Sequence, residues 1–410
     1  MSRQFVLIDH SIEDAAGHHL EYARRVLGAA KANGFRTVLA VNRRARPLEC
    51  PEADAIFKPF SRTCWEIQAQ PAVRTVVGFL LRRDAMAAES LHVTTFAAEL
   101  GSLIVESEIS EADIVFVPTL GGPEALAISI YSGTKAAVAV QWHLLFRRDV
   151  ALRPSLGALR DRIARWRIQS MMILAAQGFN AGVRYLYTDT EELSQRYDSL
   201  GVGRFETLPI PLDERLRLKR SRCADSPLVV SYVGDMREEK GIHHLPRIIR
   251  TLRREGIDPS KVLFRIQSNL PNGRVKASAL KIRATLKNMA VDGVEMVGGP
   301  LTSAEYHELL KSSDVILIPY SETSYEARSS GIFAEARAAG IPTIHPVNTW
   351  MEKNSVTAGY KGFTDMINVI KSTIKSYAEH EKNSMSAAGH WQRRHSAQEL
   401  INAMRRNEEK

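Results

Sequence analysis

The stretch Tyr325-Glu326-Ala327-Arg328-Ser329-Ser330-Gly331-Ile332-Phe333-Ala334-Glu335-Ala336-Arg337-Ala338-Ala339-Gly340-Ile341-Pro342 decides the fold. It follows the apolar run 315–318 and precedes another at 342–344, so it reads as a helix between two buried strands. Ser329, Ser330 and Gly331 open the helix and Gly340 closes it. Free backbone N–H groups at such a start, with the helix dipole behind them, hold phosphate oxygens well. Glu335 lies about one turn further in. It faces the same side, where a carboxylate accepts hydrogen bonds from ribose hydroxyls. The alternative reading is an N-capped amphipathic helix with Glu335 in solvent.

The same strand–helix alternation extends in both directions. Runs 5–8, 37–41, 114–117, 136–140 and 185–187 read as strands in the first half. Runs 228–233, 262–266 and 294–297 join 315–318 and 342–344 in the second. Between the first two strands, Leu20, Ala23, Leu27 and Ala30 form a helical stripe that stops at Asn33-Gly34. Thr302 and Glu305 form a capping box ahead of Leu309 and Leu310. The prolines of Leu208-Pro209-Ile210-Pro211 mark a linker. The expected fold is α/β, with two doubly wound Rossmann-like domains facing each other across a cleft. Residues 1–208 form the first, 209–226 the linker and 227–385 the second, with a helix at 386–410 packing back on the first. Ligands of such sheets bind beyond the carboxyl ends of the strands.

Composition narrows the function. The chain has 410 residues, 44% hydrophobic and 25% charged, which excludes disordered and fibrous classes. Its net charge of +9 lies mostly in residues 211–410, with 31 basic against 23 acidic residues, where residues 1–210 have 24 against 23. That excess suggests an anionic partner. The run Arg215, Arg217, Lys219, Arg220, Arg222 supplies part of it and also reads as a solvated linker. Cys50, Cys64 and Cys223 are odd in number and far apart, which supports neither a disulfide framework nor a zinc site and suggests a cytoplasmic setting. No apolar run is long enough to span a bilayer.

A second constellation is Tyr232-Val233-Gly234-Asp235-Met236-Arg237-Glu238-Glu239-Lys240-Gly241, a sharp turn off the first strand of the second half. Arg237 and Lys240 stand where a diphosphate would sit, the one as a planar fork and the other as a point charge. A surface turn with Arg237 paired to Glu238 or Glu239 is the alternative. Together with Val297–Thr302, Tyr306 and Ser313–Tyr320, these stretches resemble the C-terminal domain of nucleotide-sugar-dependent glycosyltransferases of the GT-B fold, especially the retaining family 4 group.

The resemblance covers about residues 228–350 and implies a fold, an activity and a site. It implies a metal-independent, retaining hexosyltransferase that needs no cofactor. Its partners would be a nucleotide-sugar donor and a glycan or lipid-linked acceptor, in polysaccharide or glycolipid synthesis. Arg237, Lys240 and the amides of Ser330 and Gly331 would hold the phosphates and Glu335 the ribose. Where the family has Arg after the turn glycine, this chain has Asp235, with Arg237 two residues on. Where the family has a Glu for the donor sugar, this chain has Ala327, flanked by Glu326 and Arg328. The first half matches more loosely: Gly17 stands where a glycine lets the backbone approach the donor. His143, read as lying just past an apolar strand, stands where such enzymes place a histidine near the sugar; a core-edge histidine satisfied by the backbone is the alternative.

Other chemistry finds less support. His18, His19 and Glu21 do not fall at metal-ligand spacing, and no metal is expected. No Asp-x-Asp occurs, and no Gly-x-Gly-x-x-Gly follows a strand. Nucleic-acid modules are missing, so no nucleic-acid partner is expected. Leu152, Leu156, Leu159, Ile163 and Trp166 make one helical stripe among arginines. That pattern reads either as a helix packed on the first domain or as one lying peripherally on the inner membrane surface. A non-catalytic nucleotide-sugar or glycan-binding scaffold and a nucleotide-sugar epimerase are the competing functions.

Overall fold

The computed structural model describes residues 3–14, 18–63, 83–149, 159–216, 226–270 and 277–408. The chain divides into two units: Met1–Pro211 with Ala397–Lys410, and Leu212–Ser396.

The first unit is built on a seven-stranded parallel sheet. Its elements run β1 (Gln4–Asp9), α1 (His18–Ala32), β2 (Arg36–Asn42), β3 (Ala55–Phe60), α2 (Arg83–Glu106), β4 (Ile114–Leu120) and α3 (Gly122–Ser132). They continue through β5 (Gln141–Phe146), α4 (Leu159–Gly178), β6 (Val183–Thr188), α5 (Glu191–Asp198) and β7 (Phe205–Thr207). Strand order is β3-β2-β1-β4-β5-β6-β7. All six residues of β1 are buried. Val6 and Ile8 join the apolar cluster on one face, while Phe5 and Leu7 join the other. Burial on both faces is why these strands read as unbroken apolar runs.

The second unit continues with β8 (Leu228–Tyr232), α6 (Leu245–Arg254), β9 (Val262–Gln267), α7 (Ala277–Lys287), β10 (Val294–Val297), α8 (Ser303–Lys311) and β11 (Val315–Leu317). Then come α9 (Glu322–Tyr325), α10 (Gly331–Ala338), β12 (Thr343–Ile344), α11 (Trp350–Lys353), α12 (Gly362–Lys375) and α13 (Tyr377–Arg394). Its five parallel strands lie in the order β10-β9-β8-β11-β12. The last helix, α14 (Ala397–Glu408), returns to the first unit. There Leu400, Ile401 and Met404 pack in the cluster that holds Leu20, Ala23, Leu27 and Ala30 of α1.

Several expectations need correction. The strand expected at 136–140 is β5, Gln141–Phe146, paired from Ile114↔Gln141 onward. Its polar start, Gln141-Trp142-His143, hid it, although Trp142 and His143 are fully buried. β3 carries Lys58-Pro59 and β7 has three residues; both are sheet edges, where short and polar strands belong. The closing helix expected at 386–410 is two helices broken at His395-Ser396, and Trp391 stays with the second unit, bonding the carbonyl of Ala334 at 3.0 Å. Of the stripe expected on 152–166, Leu152 and Leu156 lie outside the described residues, and Trp166 is 63% exposed. No helix among the described residues is long and apolar enough to cross a membrane. Within the basic linker run Arg215 pairs with Asp213 at 2.6 Å; Arg217, Lys219, Arg220 and Arg222 lie outside the described residues.

Candidate functional site

In both sheets one central strand has its two neighbours reached in opposite directions: β1 between β2 and β4, and β8 between β9 and β11. The loops leaving such strands diverge and open a crevice at their carboxyl ends. Polar side chains gather at both places.

In the second unit, β8 runs into the turn Gly234–Gly241. Gly234 has φ +116, and a Cβ there would lie 2.9 Å from Lys240 Nζ. Gly241 is more constrained still. Its φ is +69, and a Cβ would fall 1.7 Å from the carbonyl oxygen of Pro319, just past β11. Only glycine lets the turn seat this closely. Ser321 N–H donates to Glu239 O at 2.9 Å and fastens the turn to the segment after β11.

Three cations gather at this crevice. Lys240 Nζ lies 5.8 Å from the Tyr320 ring centroid, and the Arg328 guanidinium 5.1 Å from that of Tyr325. Burial, reinforced by the charges of Arg237 and Arg328, pushes the Lys240 ammonium down to about 8. Arg237 sits 3.3 Å from Glu239 and 3.6 Å from Asp235, so the pairing foreseen as the alternative is present. Asp235 itself accepts from Asn269 Nδ2 at 2.7 Å and serves to fix the turn. Ser330 caps α10, its hydroxyl accepting from Phe333 N–H at 3.3 Å. Gly331 is exposed, and a Cβ there would meet no atom within 4 Å, so the start of α10 is open to an incoming group. Glu335, one turn in, accepts a hydrogen bond from Tyr306 of α8. Glu326 and Arg328 are partly exposed, whereas Ala327 is fully buried.

The first unit departs further from expectation. His143 does not lie past the strand end. It is the third residue of β5, fully buried, with Nδ1 3.1 Å from Tyr187 Oη and Nε2 3.4 Å from Glu408 Oε1 of α14. Its ring stacks on Tyr185 at 4.6 Å. This is the geometry of an internal tether for the last helix. Burial drives the imidazole toward its neutral form, against the pull of Glu408. Gly17 lies outside the described residues.

What β1 and β4 present instead was not anticipated. Asp9 Oδ2 lies 2.8 Å from His19 Nδ1 and accepts from Thr119 Oγ1 at 3.3 Å. Burial alone would raise the Asp9 carboxyl; His19 and His10 hold it well below its usual range. Beside it, Glu124 Oε1 lies 3.0 Å from His92 Nε2 and 3.4 Å from His10 Nε2. Glu124 Oε2 accepts from Gly121 N–H at 2.9 Å in the capping box of α3. These residues come from the end of β1, α1, α2, β4 and α3, so no local spacing could have signalled them. Three polar residues on apolar elements, each hidden from water, were the only trace.

No protein-family model matches the chain, and no curated protein matches it. Solved structures do. Sucrose-phosphate synthase from Thermosynechococcus elongatus is 15% identical with TM-score 0.67, covering 99% of this chain and 98% of that one. Anabaena HepE in complex with UDP-glucose is 13% identical with TM-score 0.64, at 98% coverage of both chains. A trehalose-6-phosphate synthase, studied with bisubstrate glycomimetics for glycosyltransfer with retention, is 11% identical with TM-score 0.70, again at 98% of both. The chain has the GT-B fold.

Proposed function

We propose that the chain is a metal-independent, retaining glycosyltransferase of the family 4 type, moving a hexose from a nucleoside diphosphate-sugar to a hydroxyl acceptor. One observation carries this reading: Arg237, Lys240 and Arg328 gather beside the open start of α10, with Glu335 one turn behind it. A diphosphate matches the cations and the helix start, and a ribose matches the carboxylate. Two of the similar structures support it, one a complex with UDP-glucose and one studied for glycosyltransfer with retention.

In this reaction the acceptor oxygen bonds to the anomeric carbon on the face from which the diphosphate departs, and the bond from that carbon to the phosphate oxygen breaks. The acceptor proton passes to the departing phosphate, so no separate base is required. Charge growing on that phosphate is met by Lys240, Arg237 and the α10 amides, fixed in place before the reaction begins. Tyr306 holds the Glu335 carboxylate for the ribose. A glycan or lipid-linked acceptor, a role in polysaccharide or glycolipid synthesis, and a cytoplasmic location with peripheral contact at the inner membrane surface belong to the same reading.

A second reading has its own support. Arg237 is partly neutralised by Asp235 and Glu239, and Ala327 offers no carboxylate to the donor sugar, which suits a scaffold that binds without turnover. A screen of UDP- and GDP-sugars, scored for nucleotide release with and without lipid and glycan acceptors, separates the two. Acceptor-dependent release that is lost in a folded Lys240→Ala variant supports the transferase. Binding without release supports the scaffold, and a changed configuration of the donor sugar with no acceptor present points to the epimerase.

A further inference from the structure

We infer that His10, His92 and Glu124 form a binding site for a divalent transition-metal ion, zinc being the best match, at the carboxyl edge of the first sheet. The three residues bring one ligand atom each to within 4.8 Å of one another. A zinc ion holds imidazole nitrogen and carboxylate oxygen at about 2.0–2.2 Å, which puts tetrahedral ligands about 3.3 Å apart. The observed separations from Glu124 Oε1 are 3.0 Å to His92 Nε2 and 3.4 Å to His10 Nε2. Both histidine nitrogens therefore already stand near the spacing from the carboxylate that a bound ion sets, and they lie within 4.8 Å of each other.

The surroundings fit such an ion. The second oxygen of Glu124 is held by Gly121 N–H, which fixes the carboxylate plane, as outer partners of metal ligands do. Asn42 Nδ2 donates to the His10 carbonyl at 3.2 Å and anchors the chain at that ligand. Phe96 lies 5.2 Å from the His10 ring and 5.7 Å from the His92 ring, and stacks on Phe60, giving the cluster a dry aromatic wall. Two nitrogens and one oxygen suit zinc, cobalt or nickel better than calcium or magnesium, which prefer all-oxygen shells. Three protein ligands leave a fourth tetrahedral position for water. The ion would pin α2 and α3 to the end of β1. It would lie in the first unit, whereas the cations proposed to meet the diphosphate are in the second.

The test is metal content and spectroscopy on the full-length chain, independent of any transfer activity. Protein purified without chelator is measured for bound metal. It is then stripped and titrated with Co²⁺, whose visible absorption reports tetrahedral coordination. A single equivalent per chain is expected, with the absorption band present in the wild type. His92→Asn and Glu124→Gln should each weaken Co²⁺ binding by at least about tenfold, whereas His19→Asn, outside the cluster, leaves it unchanged. Wild-type protein that carries no metal and shows no Co²⁺ band overturns the site, and the cluster is then a network of shared protons. Binding that persists in a folded His92→Asn, Glu124→Gln double variant overturns it equally. If the variants fail to fold, the wild-type titration alone decides.

Discussion

Lys240 has an ammonium pushed down to about 8 by burial, with Arg237 and Arg328 adding to the effect. Its charge is therefore lost in a pH range where most lysines keep theirs. If that charge meets the diphosphate, kcat/KM for the donor falls as pH rises through about 8, since this parameter reports the free protein. A bound diphosphate favours the charged form, so kcat at saturating donor holds to higher pH. In Lys240→Arg the guanidinium stays protonated throughout. Its absolute rate drops because the planar fork replaces a point charge, but the fall near pH 8 disappears. Paired pH profiles check this, and an identical inflection in both proteins would remove Lys240 from the role.

Helix α14 shows how a distant segment completes a unit. Met404 is fully buried among α1 and sheet residues. Met404→Ala is expected to cost about 2–5 kcal/mol in denaturant unfolding. At the end of the helix, Glu408 lies 2.9 Å from Arg3 and 3.4 Å from His143. Burial opposes its ionisation, but His143 and Arg3 prevail and lower its carboxyl below the ordinary value. A carboxylate with a depressed folded pKa stabilises above its unfolded value, about 4.3, and loses that contribution as pH falls through the folded one. The stability gap between wild type and Glu408→Gln should be full at pH 7 and shrink in acid; a gap that does not depend on pH would disprove the pairing. The same helix marks what was legible in the sequence. Strands buried on both faces, such as β1 and β8, announced themselves as apolar runs, and the Ser330 and Thr302 caps lay where their side chains put them. β5 did not, because Gln141 and His143 break its apolar run, and the shifted boundary carried His143 to a strand end it does not occupy. The His10–His92–Glu124 cluster was illegible for a different reason: only the sheet order and the packing of α2 and α3 bring it together.

The whole molecule repeats one arrangement twice, a parallel sheet whose central strand opens a polar crevice at its carboxyl end. The two crevices differ in charge. In the first unit carboxylates meet histidines; in the second, Lys240 feels the charges of Arg237 and Arg328. The excess of basic over acidic residues follows the same division, 28 against 20 in residues 212–396. That asymmetry suggests an anionic partner, and under the proposed function that partner is a nucleoside diphosphate-sugar. Titration calorimetry of UDP and of GDP into the full-length chain, wild type and Lys240→Ala, tests this most directly. One of the two nucleotides is expected to saturate a single site, and losing one charge-assisted contact should weaken it by about 10- to 100-fold. Folded wild-type protein that binds neither nucleotide, or binding that Lys240→Ala leaves unchanged, would overturn the assignment.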